Sequence, residues 1–272
     1  MKNLTISAME RRLSVLEMVY NGKSGHIGGS MGCMDILTVI YDRMNIDKIK
    51  NGHPDRDRFV MSKGHCAEAL YAVLADVGLI EKEELETYAK YNTRLAEHPT
   101  HSIPGVEVAT GALGHGLSLA VGMAYGLKKT GVQATVYTLM GDGEQAEGSV
   151  WEAAMSAAKF RLDNLVAVID RNYLQISGST EDVMPLDDLA GKYQAFGFKT
   201  IVCDGNDCAE LSRAFETTHP GMPLAIIANT IKGYGSPIME NKADWHHLIP
   251  NEEQYENIKA DLNKKLQEVR CG

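Results

Sequence analysis

The sequence is 272 residues long and carries a formal net charge of −9, from 36 acidic and 27 basic side chains. This length is sufficient for a large buried core, and we expect residues 1–272 to form a single domain. An acidic chain without a basic block is a poor match for nucleic acid or for an anionic membrane surface.

The cysteines and the apolar segments indicate the compartment. Five cysteines without a C-x-x-C pair predict reduced thiols rather than a disulfide framework or a zinc knuckle. The N-terminal segment lacks the apolar core of a signal peptide, and no run reaches the ~18 apolar residues of a membrane span. We therefore predict a soluble, cytoplasmic protein.

The first part of the chain alternates helical periodicity with short β-prone runs. Glycine-rich residues 23–30 contain His26, and we expect them to form a loop that holds this imidazole near a ligand. His65 follows a strand and a glycine at the start of a helix, which is a natural position for binding an anion. The predicted elements are a helix over 5–20, a helix over 34–42, a strand over 58–62 and a helix over 67–77.

Residues 91–116 are predicted to be irregular, with three histidines and two prolines. An irregular segment of this length is usually functional or disordered, and its glycines with few charges favour a function. The glycines from Gly111 to Gly116 do not form a dinucleotide-binding fingerprint, because their spacing is wrong and no strong strand precedes them. We expect a helix over 117–129, whose small residues permit close packing against a neighbouring helix, in this chain or in another subunit.

Two apolar strands and a connecting helix form the centre of the predicted fold. The strands cover residues 134–140 and 164–170, and the helix covers 147–160. Continuous apolar strands are typical of parallel sheets covered on both faces, and a right-handed crossover brings their carboxyl ends to one edge. Asp142 and Asn172 follow the two strands, so we expect them to face one crevice at the edge where such sheets bind ligands.

The polar groups at this edge are typical ligands of a hard cation. The Asp142 carboxylate, the Asn172 amide oxygen and a backbone carbonyl just beyond, that of Leu174, offer the oxygen donors that Mg²⁺ or Ca²⁺ prefers. Gly143 lets the backbone approach an anion, and the N–H groups of the following helix would bind it. These features predict a metal-bridged diphosphate site, with a simple hairpin turn as the alternative interpretation of Asp142-Gly143.

Strands and helices continue to alternate after this motif. The strand over 224–230 leads to a polar segment that contains His246 and His247. The order predicts an α/β fold with a mostly parallel sheet and helices on both faces. The elements predicted here are a helix over 187–196, a strand over 199–202, a helix over 208–217, the strand over 224–230 and a C-terminal helix capped by Asn251 and Gln254.

The central motif resembles that of a known family. GDGEQAEGSVWEA at 141–153, followed by DRNYLQISG at 170–178, is similar to the thiamine diphosphate motif of the transketolase family. The resemblance extends over nearly the whole chain and implies the thiamine diphosphate-binding fold. The other matching blocks are SGHIG at 24–28, SKGH at 62–65, EHP at 97–99, GALGHG at 111–116 and the segments around 231–236 and 239–247.

The resemblance implies a role for each candidate residue. His26, His98 and His246 would contact the sugar, where imidazole can donate hydrogen bonds and transfer protons near neutral pH. The implied cofactor contacts are His65, Gly111, Ala112, Leu113, Gly114, Asp142, Gly143, Glu144, Asn172 and His246, and the implied ligands of Mg²⁺ or Ca²⁺ are Asp142, Asn172 and Leu174.

Four positions depart from the family pattern. Ile27 replaces a usual proline and Thr100 replaces a usual glutamate. Glu97 and His247 each replace a usual glycine. The last difference leaves two candidates, His246 and His247, for one site residue.

The implied reaction is the reversible transfer of a two-carbon ketol unit from a ketose, or its phosphate, to an aldose. In this family the glutamate that activates the cofactor's pyrimidine lies in a second domain, which the resemblance does not reach. We therefore predict an N-terminal subunit of a split transketolase. Its partner would be a C-terminal transketolase subunit, and two copies of each chain would assemble.

Three other interpretations remain open. One is the α-chain of a thiamine-dependent 2-oxo acid dehydrogenase, and another is a non-catalytic scaffold that retains the fold. The third is a histidine-rich metal hydrolase, which is disfavoured because no H-x-x-x-H or H-x-H pair occurs and oxygen donors dominate the strongest motif.

Overall fold

The computed structural model describes residues 4–271. Its strands alternate with helices for most of the chain. The strands are Arg58–Met61 (β1), Val136–Gly141 (β2), Leu165–Arg171 (β3), Leu174–Gln175 (β4), Gly178–Ser179 (β5), Lys199–Asp204 (β6) and Leu224–Asn229 (β7). The α-helices are Leu4–Gly22 (α1), Ile27–Gly32 (α2), Met34–Arg43 (α3), Ile46–Lys50 (α4), Ala67–Asp76 (α5), Gly116–Thr130 (α6), Gly148–Lys159 (α7), Thr180–Val183 (α8), Leu189–Ala195 (α9), Cys208–Phe215 (α10) and Glu252–Cys271 (α11). Short 3₁₀ turns cover Gly64–Cys66, Lys82–Thr87, Gly143–Ala146 and Ala243–His246.

Five strands form one parallel sheet in the order β1-β2-β3-β7-β6. Alternate residues of the central strand β3 belong to two different hydrophobic cores. Val166 and Val168 pack in the core that contains α1, α3 and α5, whereas Ala167 and Ile169 pack in the core that contains α6 and α7. Both faces of the sheet are therefore covered by helices, which confirms the predicted fold class.

The glycine-rich segment predicted as a loop is partly helical, because α2 begins at Ile27. Its glycines permit backbone contacts that a side chain would block: a Cβ atom at Gly28 would lie 2.5 Å from the carbonyl oxygen of Trp245. A Cβ atom at Gly32 would lie 3.0 Å from the carbonyl oxygen of Ile231. The prediction was wrong because tertiary packing outweighs the low helix propensity of glycine. His26 is the residue that precedes this helix.

The other predicted elements occur with boundaries shifted by a few residues, as is usual for helix and strand ends. Residues 91–115 contain neither helix nor strand, as predicted. The antiparallel hairpin of β4 and β5 was not predicted, because each of its strands has only two residues. Over the described range 4–271, no helix combines the length and the hydrophobicity needed to cross a bilayer.

A buried ion pair joins the N-terminal helices. The Arg12 guanidinium of α1 contacts the Asp35 carboxylate of α3, and both side chains are fully buried. Arg12 Nε also donates a hydrogen bond to the carbonyl oxygen of Met31 at 2.9 Å. Asn206 Nδ2 donates to Asp35 Oδ2 at 2.9 Å. The pair therefore connects α1, α3 and the segment before α10.

Candidate active site

The polar residues that follow β2 and β3 lie side by side at the carboxyl edge of the sheet. Gly141 of β2 pairs with Asp170 of β3, so Asp142 and Asn172 extend from adjacent strand ends. Both side chains are buried and line one cavity. The structure thus brings together the two residues that the crossover argument places in one crevice.

Two backbone N–H groups and the guanidinium of Arg171 hold the Asp142 carboxylate in place. The N–H of Gly143 donates to Oδ1 at 2.8 Å, and the N–H of Tyr173 donates to Oδ2 at 2.6 Å. Arg171 Nη1 lies 3.3 Å from Oδ2. Burial, followed by repulsion from Asp170, raises the pKa of the Asp142 carboxyl group. A cation placed beside Asp142 would offset both effects.

Asn172 and Leu174 contribute two further oxygens at the same cavity. Asn172 Nδ2 donates to Asp170 Oδ2 at 3.2 Å, and this fixes the amide so that Oδ1 accepts the N–H of Leu174 at 3.1 Å. The carbonyl oxygen of Leu174 accepts a hydrogen bond from Lys232 Nζ at 3.3 Å. The arrangement offers a carboxylate, an amide oxygen and a backbone carbonyl, which is the donor set of a hard divalent cation.

Two buried lysines line this cavity, and neither was among the predicted site residues. Burial lowers the pKa of Lys63, but its ion pair with Asp170 outweighs this effect and raises the pKa well above the usual value. The pKa of Lys232 is lowered by burial and then by Lys63. Each lysine stands before a glycine just after a strand and belongs to one of the matching blocks, SKGH at 62–65 and the segment 231–236, and these signals could have identified both. Together they make the cavity suitable for a polyanion.

Four histidines form a cluster next to the lysines. The ring centroid of His26 lies 5.2 Å from His65, 6.2 Å from His98 and 5.5 Å from His246. Burial lowers the pKa of His26 to about 4 and that of His246 to about 3, with Lys232 as the second cause at His246. The imidazoles of His26 and His246 are therefore neutral near pH 7, where each can donate one hydrogen bond and accept another.

The positions of His246 and His247 differ clearly. His246 lines the cavity, and its Nδ1 lies 3.0 Å from Lys232 Nζ. The ring of His247 instead lies 4.5 Å from the ring of His26, and its Nε2 lies 3.5 Å from Glu97 Oε2. Of the two histidines, His246 is therefore the one that lies at the cavity.

Residues 111–114 border the cavity through Leu113, while Gly114 is tied to the strand end. Glu144 Oε2 accepts the N–H of Gly114 at 2.8 Å and the hydroxyl of Ser62 at 2.7 Å, and its Oε1 accepts the N–H of Gly141 at 2.8 Å. Burial raises the pKa of this carboxyl group. Glu144 thus connects the segment 111–114 to the end of β2.

The predicted residues divide into two groups. Those around the metal-type oxygens share one cavity, whereas His26, His98 and three residues of the segment 111–114 lie outside its lining among the described residues. Gly111 packs against His98, since a Cβ atom there would lie 2.9 Å from Cδ2 of that ring. The cavity group is His65, Leu113, Asp142, Gly143, Glu144, Asn172, Leu174 and His246, and the outer group is His26, His98, Gly111, Ala112 and Gly114.

The wild type is expected to lose stability as the pH rises, and Glu68→Gln is expected to reduce that loss. Glu68 is fully buried and accepts the backbone N–H of His26 at 2.6 Å, and burial raises its pKa to about 8. The unfolded chain loses this proton at about pH 4.3 whereas the folded protein retains it, so wild-type stability should fall as the pH rises from there to about 8. Glutamine retains the hydrogen-bond acceptor but has no proton to lose.

Urea unfolding between about pH 5 and pH 9 measures the free energy of unfolding of the variant and the wild type. Their pH profiles should diverge by about 3 kcal/mol at the alkaline end. The exposed Glu83→Gln is the matched control and should follow the wild type. Parallel curves for Glu68→Gln and the wild type would refute the assignment.

A family profile described as "Transketolase, thiamine diphosphate binding domain" matches residues 2–268. The chain is 44% identical over 271 residues to one subunit of the apulose-4-phosphate transketolase of Phocaeicola vulgatus, covering 98% of this chain and 96% of that protein. It is 41% identical over 245 residues to a 6-deoxy-6-sulfo-D-fructose transketolase subunit of Clostridium sp. strain MSTE9, covering 89% of each.

Solved structures show the same fold in longer chains. Transketolase from Leishmania mexicana superposes with a TM-score of 0.87 at 32% identity, over 97% of this chain and 42% of that one. Transketolase from Campylobacter jejuni gives a TM-score of 0.87 at 30% identity, over 97% of this chain and 43% of that one. The chain thus spans less than half the length of these solved transketolases.

Proposed function

The chain belongs to the transketolase family through its thiamine diphosphate-binding domain, and we propose that it forms the diphosphate side of a transketolase active site. One observation supports this proposal above all: the oxygens of Asp142, Asn172 and Leu174 border the same buried cavity as two lysines. Hard oxygen donors beside buried cations match a divalent cation bridged to a diphosphate, and the residues present therefore fit the cofactor.

In this proposal Asp142, the Asn172 amide oxygen and the Leu174 carbonyl hold Mg²⁺ or Ca²⁺. Lys232 and His65, which line the cavity, contact the diphosphate, and Gly143 allows the backbone to come close to an oxygen of that group. Segment 111–114 faces the remainder of the cofactor, with Glu144 holding it in place. Lys63 keeps the Asp170 charge compensated beneath the site.

When bound, thiamine diphosphate supplies a carbon nucleophile and an electron sink for cleavage of the bond next to a ketose carbonyl. The chain's own residues bind and orient the sugar. His26, His98 and His246 are neutral near pH 7, because burial lowers the pKa of each, and so can hydrogen-bond sugar hydroxyls and accept or return a proton at those oxygens. The outcome is transfer of a two-carbon ketol unit from a ketose to an aldose.

We propose that a separate C-terminal transketolase subunit completes the site and provides the pyrimidine-activating glutamate. One relative, similar over nearly all of its length, is named as a subunit of an apulose-4-phosphate transketolase. Another, similar over most of its length, is named as a subunit of a 6-deoxy-6-sulfo-D-fructose transketolase. Their names favour a ketose with an anionic end group as the donor class. The four buried cysteines without disulfides fit a reducing cytoplasm.

An unpartnered surface supports assembly as two copies of each chain. A Cβ atom added at Gly122 or Gly126 of α6 would meet no other atom within 4 Å in the described part of the chain. Leu119, Met155 and Phe160 are large exposed apolar side chains on or just after α6 and α7. Small residues flanked by exposed apolar ones suit close helix packing between subunits.

The 2-oxo acid dehydrogenase interpretation is not favoured, because the relatives that match nearly the whole chain are transketolase subunits. The hydrolase interpretation is not favoured either, since the family profile that matches residues 2–268 is that of a transketolase thiamine diphosphate-binding domain.

Ketol transfer is expected only when the partner is present. The purified chain should bind thiamine diphosphate with Mg²⁺ weakly and transfer no ketol unit, because it lacks the proposed pyrimidine-activating group. Co-purification identifies the partner, and its sequence is then searched for that glutamate. Coupled assays of the pair with neutral and phosphorylated ketoses should show turnover. Substantial transfer by this chain alone would refute the division of the site.

A further inference from the structure

A second cluster of potential metal ligands lies outside the diphosphate cavity. One ligand atom each from His26, Glu97 and His247 lie within 4.8 Å of one another. We propose that these three residues bind a transition metal of the zinc class, and that the bound metal competes with the sugar for His26. The proposed metal binding does not depend on the proposed function, whereas the competition between metal and sugar rests on it.

The three ligands come from segments far apart in sequence, so no motif spacing reveals them. His26 precedes α2, Glu97 lies in the irregular segment 91–115, and His247 follows the turn Ala243–His246. Glu97 and His247 are two of the four positions that differ from the family pattern. Both replace a usual glycine, and the structure places the two new side chains against the same histidine.

The side chains are already arranged as ligands. His26 Nδ1 is buried and has no hydrogen-bond partner among residues 4–271, so this nitrogen is available to coordinate a metal ion. The hydroxyl of Ser24 donates to Glu97 Oε1 and fixes this carboxylate, while Oε2 faces His247 Nε2 at 3.5 Å. A hydrogen bond to the far oxygen of a ligating carboxylate is typical support for a metal site.

Only a small adjustment is needed for coordination. Zinc ligands lie about 2.0–2.2 Å from the metal, so tetrahedral ligand atoms are roughly 3.3 Å apart. Glu97 Oε2 and His247 Nε2 are already 3.5 Å apart, and no separation among the three ligand atoms exceeds 4.8 Å. His247 is the natural one to move, because its side chain is 48% exposed. Three protein ligands leave a fourth position for water or a sugar oxygen.

Donor chemistry separates this cluster from the diphosphate site. Two imidazoles and one carboxylate suit Zn²⁺, Co²⁺ or Ni²⁺, whereas the oxygens of Asp142, Asn172 and Leu174 suit Mg²⁺ or Ca²⁺. A protein with both sites should bind the two classes of ion independently. Occupation of the second site would remove His26 from contact with the ketose and inhibit turnover.

Titration of the full-length chain with Co²⁺, in the presence of excess Mg²⁺, tests the proposal. The wild type should bind one Co²⁺ with the visible absorption of a four- or five-coordinate site, and Zn²⁺ should displace it. Glu97→Gln and His247→Gly should each weaken Co²⁺ binding by about tenfold or more. His53→Ala is the matched control, because His53 is an exposed histidine paired with a carboxylate, Asp55.

Thermal unfolding of each variant, and its binding of thiamine diphosphate with Mg²⁺, shows whether the fold and the first site persist. In the assembled enzyme, Zn²⁺ should raise the apparent KM for the ketose, and Glu97→Gln should lose this sensitivity. The proposal is overturned if the wild type binds no Co²⁺ at one equivalent, or if both variants bind it as the wild type does. Co²⁺ binding by the chain, together with an assembled enzyme that binds no thiamine diphosphate, would refute the proposed function and leave the metal site established.

Discussion

Asp142→Asn is expected to reduce the affinity for thiamine diphosphate with Mg²⁺ about 100-fold or more, with a corresponding loss of ketol transfer by the assembled enzyme. Asp142 is the one carboxylate among the three proposed metal ligands, and its two oxygens already orient the backbone of Gly143 and Tyr173. Asparagine has nearly the same shape but provides no negative charge for the divalent ion. Asparagine keeps only one of the two oxygens that accept these backbone N–H groups, so the loss of cofactor binding should be accompanied by a smaller loss of stability.

Calorimetric titration with the cofactor and Mg²⁺ measures the effect in the presence of the partner subunit. The variant without ligand should still fold but unfold at a lower temperature than the wild type, because the asparagine NH2 group cannot accept one of the two backbone N–H groups and the ion pair with Arg171 is lost. Asp182→Asn is the control, since Asp182 is exposed on the nearby helix α8. A non-catalytic scaffold would keep its cellular role in Asp142→Asn, and undiminished cofactor binding by this variant would refute the metal assignment.

Removing one member of the Arg12–Asp35 pair is expected to lower the free energy of unfolding by about 3–5 kcal/mol. Each single change, Arg12→Met or Asp35→Leu, leaves the opposite charge in a fully buried position. The double variant removes both charges and should recover much of the loss, because apolar side chains replace a costly buried pair. The positive coupling between the two changes identifies the interaction.

Urea unfolding of the wild type, both single variants and the double variant completes this cycle. The exposed pair Lys48–Asp55 is the control, with side chains 40% and 38% exposed, and Lys48→Met should cost less than about 1 kcal/mol. Additive losses at Arg12 and Asp35 would show that the pair contributes nothing as a pair.

The parallel sheet was predictable because its central strands are apolar on both faces, which leaves little choice of environment for residues such as Val168 and Ile169. The meeting of Asp142 and Asn172 followed from the handedness of a single crossover. Both arguments use local sequence and a general rule of chain topology, and both concern residues in or next to regular elements.

Features that depend on distant packing were not predictable in the same way. α2 forms because Gly28 fits against the carbonyl oxygen of Trp245, a contact that no local pattern encodes. Lys63 and Lys232 reach the cavity from segments that follow two different strands. Lysine side chains are usually exposed, so their burial was not expected. The approach of His247 to His26 depends on the path of a loop, where periodicity carries no information.

The contact between Gly28 and Trp245 also bears on how the sugar side is prepared. His26 lies two positions before this glycine and His246 one position after the tryptophan, so backbone packing links the two imidazoles. The N–H of Gly233 donates to the carbonyl oxygen of Gly28 at 2.8 Å and adds a second link. Folding alone therefore preorganises these groups, and in the proposed function a ketose that binds there is spared the entropy of ordering them.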